Sequence, residues 1–150
     1  MRILSPLFSV IFFVFISSTA HAQLTPFTDY TVSDEVSLVT TIRVHPNLGN
    51  DYLEGLRDTW IASNKIAMEL GQIKDFSIYR SDMPQGGDFN LILVVRMKNT
   101  ADLAPSKERY DAFMAKWGEE RVKKNREISK NYPAMREITG EYMMRKLDVK

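Results

Sequence analysis

The sequence predicts an α+β fold in the order β-α-β-β-α-β, with one antiparallel four-stranded sheet and both helices on one of its faces. Three observations carry that reading. Phe89–Lys98 contains five consecutive apolar residues, Leu91 to Val95, directly after a Gly86-Gly87 turn, the pattern of a strand buried on both faces. Over Glu35–His45, Val36, Leu38, Thr40, Ile42 and Val44 alternate with Ser37, Val39, Thr41, Arg43 and His45, as in a strand with two distinct faces. Leu53, Leu56, Trp60, Ala67 and Leu70 recur at intervals that keep them on one side of a helix.

Each element has its own signals. Gln23–Asp34 is polar, contains Pro26, and reads as an arm or linker anchored by Phe27 and Tyr30. Pro46-Asn47-Leu48-Gly49 breaks the first strand. Asn50 is placed to cap the helix, Asp51 and Glu54 sit near its positive end, and Gly71 provides a stop. Ile73–Ser81 is a second strand, joined through Met83–Asp88 to the Phe89–Lys98 strand as an antiparallel hairpin. Ser106 then opens a long helix to about Asn131, with Tyr110, Phe113, Met114, Trp117 and Ile128 as its apolar stripe. Pro133 ends that helix, Met135 and Ile138 suggest one further helical turn, and Gly140 opens a closing strand over Glu141–Val149.

Residues 1–22 read as an export signal: Arg2 is the charged start, Leu7–Ile16 the apolar stretch, and Ala20-His21-Ala22 the cleavage site. That stretch is shorter than the roughly 20 residues a bilayer span needs. Cleavage between Ala22 and Gln23 therefore predicts a periplasmic or secreted protein with no stable membrane insertion. The remaining 128 residues carry 19 basic and 19 acidic side chains, a balance that argues against nucleic acid as a partner. There is no cysteine, which excludes disulfides, thiolate metal sites and a cysteine nucleophile.

Two βαβ halves with right-handed crossovers give a ferredoxin-like sandwich. Its helices cover one side of the sheet, yet Val39, Tyr79, Ile92, Val94, Met143, Leu147 and Val149 are expected on the other. An apolar face of that extent needs a cover. A second copy, packed sheet to sheet, would supply it and enclose a cavity, so a homodimer with a small-molecule ligand is expected.

The chain from about Glu35 onward resembles the dimeric α/β-barrel superfamily, which includes antibiotic-biosynthesis-type monooxygenases and stress-responsive barrel proteins. It looks most like secreted bacterial members that carry an Asn-Leu-Ile-Leu-Val-Val strand and an Arg-Glu-Ile-Thr-Gly segment, here Asn90–Val95 and Arg136–Gly140. These segments are structural, so the resemblance implies fold rather than activity.

On the barrel-facing side, strand alternation places Arg43, His45, Tyr79, Arg96 and Arg145 among apolar neighbours. Guanidinium groups there suit a carboxylate or phosphate, Tyr79 can orient a ligand, and His45 can carry a proton. The competing reading has the cations at strand ends, reaching water or acids of a second copy. His45 is the one histidine left after cleavage, so no His/Cys metal site is expected. Haem-binding members of the superfamily use a helical histidine, and neither helix here has one, so no cofactor is expected. Trp60, Trp117, Tyr110 and Phe113 read as core at helical spacing. Adjacent Met143 and Met144 face opposite sides of a strand and cannot chelate copper together. No Gly-x-Gly-x-x-Gly, Walker or Gly-x-Ser-x-Gly pattern is present. Three functions stay open: a ligand-binding protein, a cofactor-independent monooxygenase of the kind the resemblance implies, and a structural module that contacts partners through Gln23–Asp34.

Overall fold

The computed structural model describes residues 23–83 and 87–150; residues 1–22, read above as an export signal, and residues 84–86 lie outside the described residues. The main sheet contains β2 (Val36–Val44), β3 (Asp75–Arg80), β4 (Leu91–Met97) and β5 (Arg136–Met144), all paired antiparallel in the order β3-β4-β2-β5. That order, with a helical connection between β2 and β3 and another between β4 and β5, is the ferredoxin-like fold. A separate ribbon pairs β1 (Tyr30–Val32) with β6 (Leu147–Val149).

The core sits where the sheet meets the helices. Ile42 and Val44 of β2 and Leu91 and Leu93 of β4 pack with Tyr52, Leu56 and Tyr132. Tyr52, Ile42, Leu56 and Val36 are almost fully shielded from water, each contributing on the order of 1.5–3 kcal/mol through the apolar surface it withdraws. The expected apolar run of β4 is buried at Leu91, Leu93 and Val94.

The first helical layer is α1 (Gly49–Leu56), a π-helical turn (Arg57–Ile61) and α2 (Ala62–Glu69). Asn50 does not cap it: Leu48 occupies the flanking position and makes no side-chain cap. Gly71 does supply the stop, with φ of 68°. The π turn coincides with Thr59, whose hydroxyl donates to the Gly55 carbonyl at 2.8 Å.

Several boundaries differ from the sequence reading. The long helix is two, α3 (Lys107–Trp117) and α4 (Glu119–Ser129), because Gly118 between them takes φ 76° and ψ 155°. The further helical turn is present as α5 (Tyr132–Met135), but Pro133 lies in its first turn, where the missing N–H costs nothing, and Ile138 already belongs to the strand. The closing strand begins at Arg136, and Gly140 lies inside it beside an irregularity opposite Thr41 and Ile42. Gly in a strand interior commonly marks such a bulge. Beyond Met144 the chain leaves the sheet, and Leu147–Val149 pairs with the end of the supposed arm. Among the described residues no helix is long and apolar enough to cross a membrane.

Candidate functional site

Between the sheet and the helices lies a groove of about 450 Å³. Its floor is Leu38 and Thr40 of β2 with Leu93 and Val95 of β4; Trp60 forms a wall, and Glu141 and Met143 of β5 form the outer edge. The register explains this grouping, because Thr40 pairs with both Leu93 and Glu141, and Leu38 with both Val95 and Met143. These side chains therefore share the helix-facing side of the sheet. Trp60 is held upright by an edge-to-face contact with Phe76 of β3, ring centres 5.4 Å apart.

The groove is open because α3 does not lie across this half of the sheet. It is tied to the end of α2 and the residues after it instead: Gln72 Nε2 donates to the Arg109 carbonyl at 2.7 Å, Arg109 Nη2 donates to the Gln72 carbonyl at 3.2 Å, and Lys116 pairs with Glu69 at 3.2 Å. An apolar floor, an aromatic wall, one hydroxyl and one carboxylate make a cavity suited to a small organic molecule with a single hydrogen-bonding group.

The opposite face of the sheet carries Val39, Thr41, Ile92, Val94, Tyr79, Tyr142 and Met144. Tyr79 and Tyr142 are each 52% exposed and Met144 54%, while Thr41 and Val94 are buried beneath their neighbours. Met143 is a correction: its pairing with Leu38 turns it to the helix side. Leu147 and Val149 lie outside the main sheet altogether.

Of the five sequence-derived site residues, the structure brings two together. Arg96 Nε donates to Asp75 Oδ1 at 2.5 Å and its Nη2 to Ser77 Oγ at 2.8 Å. The Ser77 hydroxyl, and after it the Arg96 guanidinium, hold the Tyr79 phenol below the usual tyrosine range. Arg43 is on the same face, six residues along β2 from Ser37, the partner of Arg96, a separation of about 20 Å. It pairs with Asp88 at 3.4 Å. His45 follows the end of β2, its Nδ1 3.1 Å from the Ala134 carbonyl. Arg145 is not on the sheet face, because β5 ends at Met144; it donates to the Ser33 carbonyl at 3.1 Å and approaches the Thr100 hydroxyl at 3.4 Å. The five do not form one cluster.

Sequence reasoning passed over Thr40, Glu141 and Trp60 as a group. Alternation puts Thr40 on the helix-facing side, and helical spacing assigns Trp60 to the core, but nothing local shows that this part of the sheet is left uncovered. Among the described residues no group of three His, Asp or Glu side chains is placed to hold a metal ion.

No protein-family model and no curated protein matches the chain. Solved structures are similar in outline. HapK from Hahella chejuensis is 12% identical, with a TM-score of 0.45 over 77% of this chain and 95% of its own. A dimeric ferredoxin-like protein of unknown function from Bacteroides fragilis is 11% identical, with a TM-score of 0.42 over 77% and 98%. SnoaB from Streptomyces nogalater, a cofactor-independent oxygenase, is 10% identical, with a TM-score of 0.36 over 79% and 94%. Likeness at this level says nothing of ligand or reaction.

Proposed function

We propose that this protein, exported and dimerised sheet to sheet, binds a small and largely apolar organic molecule in the groove beside Trp60. The observation that carries the reading is the groove itself: Leu38, Thr40, Leu93 and Val95 are central in the sheet, yet about 450 Å³ above them is unfilled by side chains. A recess of that size with an apolar floor and a few polar groups is the usual form of a small-molecule site. Thr40 and Glu141 offer hydrogen bonds to one polar group of the ligand, and a hydroxyl is the simplest match for the carboxylate.

The homodimer rests on the open face. Tyr79, Tyr142 and Met144 expose large apolar surfaces there, and a second copy of the same face covers them with like surface. Arg43, Arg96 and Tyr79 then lie along the contact, where they orient the two copies or meet an anionic group held between them.

The test uses native mass spectrometry of the purified protein and a fluorescence titration with 1-naphthol as probe. A dimer is expected, reduced to monomer in Tyr142→Lys. Quenching of tryptophan emission should saturate, and Thr40→Phe, which fills the groove, should weaken it at least tenfold. A monomeric wild type overturns the dimer. Unsaturable quenching, or unchanged affinity in Thr40→Phe, overturns the groove as a binding site.

A further inference from the structure

A second cavity, of about 380 Å³, lies at the end of the sheet where β2 and β3 finish and β4 begins. It is separate from the groove: Ile42, 1% exposed, stands between Thr40 and Val44 on the same side of β2 and fills the layer between them. Its floor is apolar, Leu53 of α1 and Leu91 of β4. Its rim is polar, with His45, Asn50, Arg80 and Ser81 converging from three segments. Among the described residues that line it there is no carboxylate.

The hydrogen bonding of the rim leaves donors, and one acceptor at His45, for a ligand. His45 directs Nδ1 at the Ala134 carbonyl, 3.1 Å away; a carbonyl only accepts, so Nδ1 carries a proton and Nε2 is the nitrogen left for a ligand. Ser81 Oγ accepts from the Met83 amide at 3.3 Å, which leaves its own O–H to donate. Arg80 gives Nη2 to the exposed Asp82 at 3.2 Å, and its other guanidinium nitrogens retain their protons. The rim is also braced. Asn90 Oδ1 accepts from the Val44 amide at 2.8 Å, and its Nδ2 donates to the Val44 carbonyl at 2.9 Å. That clamp joins the end of β2 to the start of β4 and fixes the position of His45.

We propose that this cavity binds a small oxyanion on a compact apolar stem, a carboxylate or a phosphate monoester. Arg80, Ser81 and Asn50 contact the oxygens, His45 Nε2 accepts a hydrogen bond from a ligand hydroxyl where there is one, and Leu53 and Leu91 receive the stem. The site is built from one protomer and does not depend on the groove or on dimerisation.

Benzoate and phenyl phosphate are the probes, each titrated into purified, isotope-labelled protein while amide resonances are followed. Saturable shifts at His45, Asn50 and Ser81 are expected with at least one probe, and the tighter of the two identifies the headgroup. Arg80→Gln should weaken that probe at least tenfold and Arg80→Lys less, since lysine keeps the charge but loses the fork. Arg126→Gln removes an exposed charge on α4 and should change affinity less than twofold. Thermal melts of the variants establish that each is folded. Shifts scattered over the surface, equal losses in Arg80→Gln and Arg126→Gln, or binding of neither probe would overturn the site. All three outcomes leave the groove beside Trp60 untouched, because it is read with a different probe and different residues.

Discussion

The hydroxyl of Thr59 lies 2.5 Å from that of Tyr132, joining the π-helical turn to the short helix that starts β5. Both residues are buried, and Thr59 already donates to the Gly55 carbonyl. Its oxygen is therefore the acceptor and the Tyr132 phenol the donor. The two changes that break this bond are not equivalent. Tyr132→Phe removes the donor and leaves Thr59 bonded to Gly55, so a loss of about 1 kcal/mol is expected. Thr59→Val strands the buried phenol and should cost more, about 1–3 kcal/mol. Chemical denaturation of both variants and the double variant checks this, and equal losses would contradict the assigned direction.

The same ring sets the behaviour of Gly55. A Cβ built there meets Tyr132 Cε1 at 2.9 Å, Tyr132 Oη at 3.1 Å and Ile128 Cγ2 at 3.3 Å. Alanine in a helix is ordinarily favoured over glycine by about 1 kcal/mol. Here the buried ring, held edge-on to Tyr52 with centres 5.1 Å apart, has little freedom to retreat. Overpacking at about 1–3 kcal/mol should win, so Gly55→Ala is expected to lower the denaturation midpoint. A raised midpoint would show that α4 and α5 yield.

Tyr79 should ionise before Tyr52 and Tyr132. Ser77 first and Arg96 second favour its phenolate, whereas burial pushes Tyr52 and Tyr132 upward. Dimerisation would withdraw Tyr79 from water and oppose this, so the titration belongs on the Tyr142→Lys monomer, altered three strands away. The ultraviolet phenolate step that Tyr79→Phe removes should lie below those that Tyr52→Phe and Tyr132→Phe remove, and it should move to higher pH in Ser77→Ala. Because the folded pKa is lowered, the linked stabilisation is complete only above the unfolded tyrosine value near 10 and is lost as pH falls through the folded one. It contributes nothing at neutral pH.

These contacts show which parts of the fold were written locally. The alternation in Val36–Val44, the apolar run Leu91–Val95 and the stop at Gly71 depend on neighbours in sequence, and all three match the structure. The pairing of Arg96 with Asp75 needs the register of β3 on β4, so a cation that alternation offers to a ligand is found bonded to its own chain. The groove beside Trp60 needs more still: it exists because Gln72, Arg109, Glu69 and Lys116 hold α3 against α2, a choice made between segments some forty residues apart. His45 shows the intermediate case. Its place at the end of β2 is legible, but its turn toward Ala134 rests on where α5 begins.

Gly118 gives the sharpest separation between the sequence reading and the structure, because they predict opposite signs for one substitution. In one continuous helix from Ser106 to Asn131, Gly118→Ala would stabilise by about 1 kcal/mol through helix propensity. In the structure Gly118 has φ 76° and ψ 155°, a region open essentially to glycine alone, where another residue costs about 1–3 kcal/mol. Apart from its immediate chain neighbours, nothing lies within 4 Å of the added Cβ, so tertiary packing does not enter and the sign reports the backbone alone. Destabilisation is therefore expected in thermal and denaturant melts. Stabilisation would mean that the two helices run on as one.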